Sequence, residues 1–66
     1  MTKRYFVVEL TDGRVIDFDK RCNEVEYKDD PNYVKFKHTS NGGSTWISLA
    51  FIPHKSIFSI FMMEEE

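Results

Sequence analysis

EVEYKDDPNYVKFK, residues 24–37, is nearly symmetric about its middle: acidic and apolar residues alternate in one arm, lysine and apolar residues in the other, and DDPN lies between them. Alternation of this kind is the period-two pattern of a half-buried strand, and Pro31 fixes φ inside a turn. A four-residue hairpin loop at 29–32 predicts Lys28 opposite Tyr33, Tyr27 opposite Val34, Glu26 opposite Lys35, Val25 opposite Phe36 and Glu24 opposite Lys37. Directly opposed residues share a face of the sheet. One face is therefore apolar, and the other sets Glu26 against Lys35 and Glu24 against Lys37. A one-residue slip would turn the apolar set to water and break both charge pairs, so this register is strongly preferred.

Working outward, NG at 41–42 reads as a two-residue type I′ loop, with Ser40 opposite Gly43, His38 opposite Thr45, Lys37 opposite Trp46, Phe36 opposite Ile47 and Val34 opposite Leu49. That register makes a rung of Glu24, Lys37 and Trp46 across three strands. Upstream, a three-residue TDG loop with Gly13 left-handed opposes Leu10 to Arg14, Val8 to Ile16 and Phe6 to Phe18, the type I turn with a G1 bulge. The strands then span about 4–10 and 14–18. After a fifth strand at 45–52, Pro53 cannot donate to a ladder, so PHKS makes a tight or 3₁₀ turn before a last strand, IFSIFMM. No helix of normal length, linker or repeat interrupts the pattern.

The fold class is all-β: six short antiparallel strands in meander order, closing into an SH3-like or Sm-like barrel or forming a strongly twisted sheet. The last strand returns beside the first. Residues 1–63 form a single domain, and 64–66, EEE, an acidic tail.

A 66-residue chain buries about 60% of its unfolded surface and is marginally stable without help. The single Cys22 excludes an internal disulfide, and two His with one Cys make a poor zinc set. Oligomerisation is the help that remains. The start, MTKRYFVVELTDGR, reads as neither a signal peptide nor a membrane span, so a cytosolic location is expected.

The formal net charge is −2. Residues 31–63 contain Lys35, Lys37 and Lys55 without an acid, interleaved with aromatic residues, a composition that invites a nucleic-acid reading. Its face would be Tyr33, Lys35, Lys37 and Trp46, stacking bases and holding phosphates. Glu24 and Glu26 oppose both lysines where phosphates would sit, and counterion release needs several uncompensated cations. Nucleic-acid binding is thus the alternative and not the preferred function.

FDKRCN, residues 18–23, resembles the Phe-Asp, two residues, apolar, Asn pattern of Sm-type proteins, and IPHKSIFSI has the Ile spacing of their second motif. The resemblance covers about fifteen residues and implies an RNA-base pocket at Asn23. Pro53 and His54 stand where that family has Arg-Gly, the expected glycine in strand two is missing and a hairpin is added, so membership is not assigned.

No motif names a reaction. His38 reads as a hydrogen-bonded residue at the barrel end; Cys22 and His54 could meet but lack a nucleophile motif or orienting acid. Asp17, Asp19, Asp29 and Asp30 lack calcium-loop spacing and suit turns. Neither a catalytic residue, a cofactor nor a metal is expected.

The remaining surface is more informative. If Phe6, Val8 and Ile16 point inward, Tyr5, Val7 and Val15 point outward. If Phe51, Phe58 and Ile60 point inward, Ile52, Ile57 and Phe61 point outward. Set beside one another, these six form more contiguous apolar surface than a monomer usually exposes. An open sheet folding over would bury them instead. The expected function is a non-enzymatic β module that self-associates, first as a dimer, and binds an unidentified protein. Size and the lack of a chemistry motif would also suit a phage or mobile-element accessory protein or inhibitor.

Overall fold

The computed structural model describes residues 3–65. Its strands are β1 (Lys3–Leu10), β2 (Val15–Ile16), β3 (Glu24–Glu26), β4 (Tyr33–His38), β5 (Ile47–Pro53) and β6 (Ile57–Glu65). Short 3₁₀ turns, Phe18–Lys20 and His54–Ser56, follow β2 and β5. The strands form two antiparallel three-stranded sheets, in the orders β2-β1-β6 and β3-β4-β5. The last strand does lie beside the first. The sheet is not closed, however, and the barrel reading gives way to two sheets sharing one core of Val8, Leu10, Cys22, Val34, Phe36 and Ile52.

The opening stretch forms as its pattern requires: Glu24 opposes Lys37, Val25 opposes Phe36 and Glu26 opposes Lys35. The ladder stops at Glu26, so the predicted pairs of Tyr27 and Lys28 do not form. Asp30 provides the reason, because its carboxylate accepts from the backbone N–H of Asn32 at 2.8 Å and of Tyr33 at 3.2 Å. These bonds build an Asx-type turn wider than the four-residue loop. His54 fixes that turn to the end of β5, donating from Nε2 to Asp30 O at 3.1 Å.

The TDG turn is also as expected. Gly13 has φ 91°, Leu10 N–H donates to Arg14 O at 2.8 Å, and Val8 opposes Ile16. Beyond Ile16 the predicted Phe6–Phe18 pair is absent. Phe18, Asp19 and Lys20 instead adopt φ of 55°, 55° and 61°, and Phe6 N–H donates to Cys22 O at 2.8 Å. Three successive left-handed residues without a glycine cost about 1–2 kcal/mol each. Compensation comes from the Phe18 ring stacked on Phe36 at 4.9 Å and from Lys20 Nζ on Glu65 Oε2 at 2.6 Å. Asp19 is exposed, and its N–H bond to Asp17 Oδ1 belongs to the backbone. Asp19→Gly is therefore expected to raise stability by about 1 kcal/mol in urea denaturation, net of glycine's greater entropy loss. A destabilised variant would mean that the turn carries no strain.

The second hairpin differs from its predicted register. Tyr33 opposes Pro53, Val34 opposes Ile52, Lys35 opposes Phe51, Phe36 opposes Ala50, Lys37 opposes Ser48 and His38 opposes Ile47, with a bulge at Leu49. A type I′ turn needs positive φ at both central residues, but the positive values fall on Gly42 (72°) and Gly43 (101°), not on Asn41. Side chains compete for the loop's donors: Thr39 Oγ1 accepts from Gly43 N–H at 3.1 Å, and Asn41 Oδ1 accepts from Thr45 N–H at 3.0 Å. The longer loop shifts every β5 partner. Ile52, expected outside, turns into the core beside Val34, and Phe51, expected inside, is 56% exposed.

A second bulge reverses another pair. Glu9 opposes Ser59 while Leu10 opposes Ile57, which leaves Phe58 without a partner on β1. Phe58, expected inside, is 71% exposed, whereas Ile57, expected outside, packs against the core. The acidic run continues β6, with Glu64 opposite Arg4 and Glu65 opposite Lys3; Glu66 lies outside the described residues.

Candidate interaction surfaces

Register assigns the two faces of the first sheet. Val8 with Ile60 and Phe6 with Met62 lie on the core face; Tyr5 with Met63, Val7 with Phe61, and Glu9 with Ser59 and Val15 lie on the outer face. Of the six residues singled out from sequence, Tyr5, Val7, Val15 and Phe61 thus share the outer face, and Ile52 and Ile57 leave it for the core. Met63 joins them; its alternation with Phe61 in IFSIFMM was the available signal. Tyr5 and Val7 are buried at the centre of this face without belonging to the main core cluster. Val15 (59% exposed), Phe61 (38%) and Met63 (42%) surround them. At one end Lys20 reaches across to Glu65, and the Glu65 carboxylate holds the Lys20 ammonium above the usual lysine range.

The outer face of the second sheet differs in character. Lys37 Nζ donates to Glu26 Oε1 at 2.6 Å, diagonally across the strands. Lys35 Nζ lies 5.7 Å from the Phe51 ring centroid, opposite it in register. The expected Glu24–Lys37–Trp46 rung is not formed, because Trp46 precedes β5 and its Cζ2 lies 3.6 Å from where a β-carbon at Gly43 would stand. Tyr33 and Lys35 remain together with Phe51, while Lys37 is held by an acid and Trp46 belongs to the loop. Asn23 has a structural task as well: its Oδ1 accepts from Thr39 N–H at 3.0 Å and its Nδ2 donates to Thr39 O at 2.7 Å. These bonds extend the β3–β4 ladder by side chain and occupy the amide that the Sm-type resemblance would give to a base.

His38 is half-buried opposite Ile47, and its Nδ1 donates to Arg21 O at 2.6 Å. Cys22 is fully buried and donates its thiol to Glu24 O at 3.4 Å; burial pushes its pKa up, so the nucleophilic thiolate is disfavoured. His54 is exposed and tied to Asp30, so the Cys22–His54 pair has no shared partner. Among the described residues no group of three or more His, Cys, Asp or Glu could hold a metal ion. A cleft of about 520 Å³ is lined by Pro31, Asn32, Tyr33, Pro53, His54 and Lys55. No helix among the described residues is long and apolar enough to cross a membrane.

Four carboxylates have pKa values below their ordinary range. Backbone N–H donors lower Asp12, from Arg14, and Asp30, first from Asn32; Lys37 lowers Glu26, and Lys20 lowers Glu65. A lowered folded pKa contributes stability that is present above the unfolded value and is lost as pH falls through the folded one. The raised Lys20 contributes below the unfolded lysine value and is lost only as pH rises through its folded pKa. Melting temperature is therefore expected to stay flat near neutrality, to drop below about pH 4, and to drop again above about pH 10. Differential scanning calorimetry across pH checks this; a melting temperature that rises on acidification would contradict it.

No family model, curated protein or solved structure matches this chain.

Proposed function

We propose that this chain is a small non-enzymatic β module that self-associates through the outer surface of its first sheet and acts by binding protein. The observation that carries the reading is the exposed apolar rim of the outer face of β1, β2 and β6, formed by Val15, Phe61 and Met63 around the already buried Tyr5 and Val7. A small core supports it, since only eight apolar residues are buried and neither a disulfide nor a metal cluster reinforces them among the described residues. Further apolar burial between copies would add stability where the single chain has little. The free, buried Cys22 suits a reducing compartment such as the cytosol.

Mass action tests the reading. If the native state is a dimer and the unfolded state is not, the melting temperature rises with protein concentration. An increase across a hundredfold concentration range is expected, and a concentration-independent melting temperature would refute it.

The alternative, a single-stranded nucleic-acid module using Tyr33, Lys35, Lys37 and Trp46, is supported by the exposed Tyr33 and Phe51 around Lys35. The Glu26–Lys37 bond counts against it. Titration with short single-stranded RNA or DNA is expected to leave Trp46 fluorescence unchanged at physiological salt. A sub-micromolar affinity with a steep salt slope, lost in Trp46→Ala, would promote the alternative.

A further inference from the structure

β6 pairs with β1 along one side and, among the described residues, has no strand on the other. It is nine residues long, and IFSIFMM contains no charge and no proline. Edge strands are ordinarily protected by Lys, Pro, short length or cover, because their free N–H and C=O groups are a template for another strand. The Phe58 bulge lies near one end. From Ser59 to Glu65 the register against β1 is continuous.

The direction of the backbone groups follows from the hydrogen bonds. Phe6 N–H donates to Cys22 O and Leu10 N–H to Arg14 O, so the even-numbered residues of β1 address the side away from β6. The odd-numbered Tyr5, Val7 and Glu9 address β6, and their partners Met63, Phe61 and Ser59 complete that ladder. Ile60, Met62 and Glu64 alternate with these and direct their N–H and C=O groups to the free edge. None of the three takes part in a backbone hydrogen bond to a turn or loop among the described residues.

We propose that this edge pairs antiparallel with β6 of a second copy about a twofold axis at Phe61, joining the two first sheets into one six-stranded sheet. This rests on the self-association proposed above and places its seam at the β6 edge of the first sheet, with Phe61 of the outer face on the axis. With the axis at Phe61, Ile60 and Met62 of each copy exchange backbone hydrogen bonds with Met62 and Ile60 of the other. The two Phe61 side chains then face each other on the outer surface as a non-hydrogen-bonded pair, with Ser59 beside Met63 on either side. Glu64 and Glu65 come opposite Phe58 and Ile57, so no carboxylate opposes another. A second copy fits this edge because the strand is complementary to itself: apolar at its centre, and acidic only where the other strand is apolar.

Phe61→Cys tests the geometry. Non-hydrogen-bonded partners have Cα atoms about 4.5 Å apart, within disulfide reach. Val15→Cys is the control, exposed on the same face but on β2, at the far side of β1. Under mild oxidation Phe61→Cys is expected to form a covalent dimer at least tenfold faster than Val15→Cys, read on a non-reducing gel. Met62→Pro removes an edge-directed N–H and is expected to weaken dimerisation at least tenfold in sedimentation, with an unchanged far-ultraviolet spectrum. A parent that sediments as a dimer while Val15→Cys cross-links as fast as Phe61→Cys overturns edge pairing and leaves self-association standing, through stacked faces. Dimerisation of Met62→Pro at parental strength overturns it in the same way. A parent that remains a monomer overturns both. If Met62→Pro does not fold, the comparison of the two cysteine variants decides alone.

Discussion

Phe36→Ala is expected to cost about 3–5 kcal/mol and to leave the chain largely unfolded at 37 °C. Phe36 has no exposed surface, lies on β4 opposite Val25 and Ala50, and belongs to the core common to both sheets. Its ring also stacks on Phe18, so truncation removes the main apolar contact of the left-handed turn along with the core contacts. A domain of this size has a total stability of only about 3–10 kcal/mol, so the expected loss is comparable with the whole. Urea denaturation followed by circular dichroism measures it. Phe36→Leu keeps most of the volume and is expected to lose markedly less. A loss below about 1 kcal/mol for Phe36→Ala would mean that the two sheets do not share this core.

Phe61→Glu is expected to weaken self-association by about 30-fold or more, the effect of at least 2 kcal/mol at an interface hot spot. Phe61 opposes Val7 on the outer face, is partly exposed and lies outside the core cluster, so the fold has little need of it. In the dimer it lies on the axis, where two phenyl rings would be replaced by two carboxylates facing each other. Like charges directly opposed across strands are destabilising, and burial of an unpaired charge costs still more. The isolated chain is expected to retain its secondary structure. Phe51→Glu is the companion control, because Phe51 is more exposed and lies on β5 in the second sheet, away from this edge.

Where alternation and charge pairing agree, as in Glu24–Lys37, Val25–Phe36 and Glu26–Lys35, the register could be read from the residues alone. The glycine demanded by the TDG turn was readable for the same reason, since only one loop length kept apolar residues on one side. NG at 41–42 was misleading. Thr39 and Asn41 offered side-chain acceptors to the same backbone donors, and local competition of that kind leaves no trace in hydrophobic periodicity. The bulges at Leu49 and Phe58 then exchanged inside for outside beyond each of them, which is why Ile52 and Ile57 left the outer face that Tyr5, Val7, Val15 and Phe61 retain. The left-handed turn at Phe18–Lys20 was equally hidden, because three residues without glycine carry no signal for positive φ. It follows β2, which ends at Ile16 where the sequence reading carried the strand to about residue 18.

Sedimentation equilibrium of the parent and of Phe61→Glu, from low to high micromolar concentration, tests the central claim most directly. An interface of about 800 Å² per partner is ordinary for a stable complex. The expected result is a parent that moves from monomer to dimer within this range and a folded Phe61→Glu that remains a monomer throughout. A parent that is monomeric at every concentration, or a Phe61→Glu that dimerises as the parent does, would contradict the assignment of this surface to self-association.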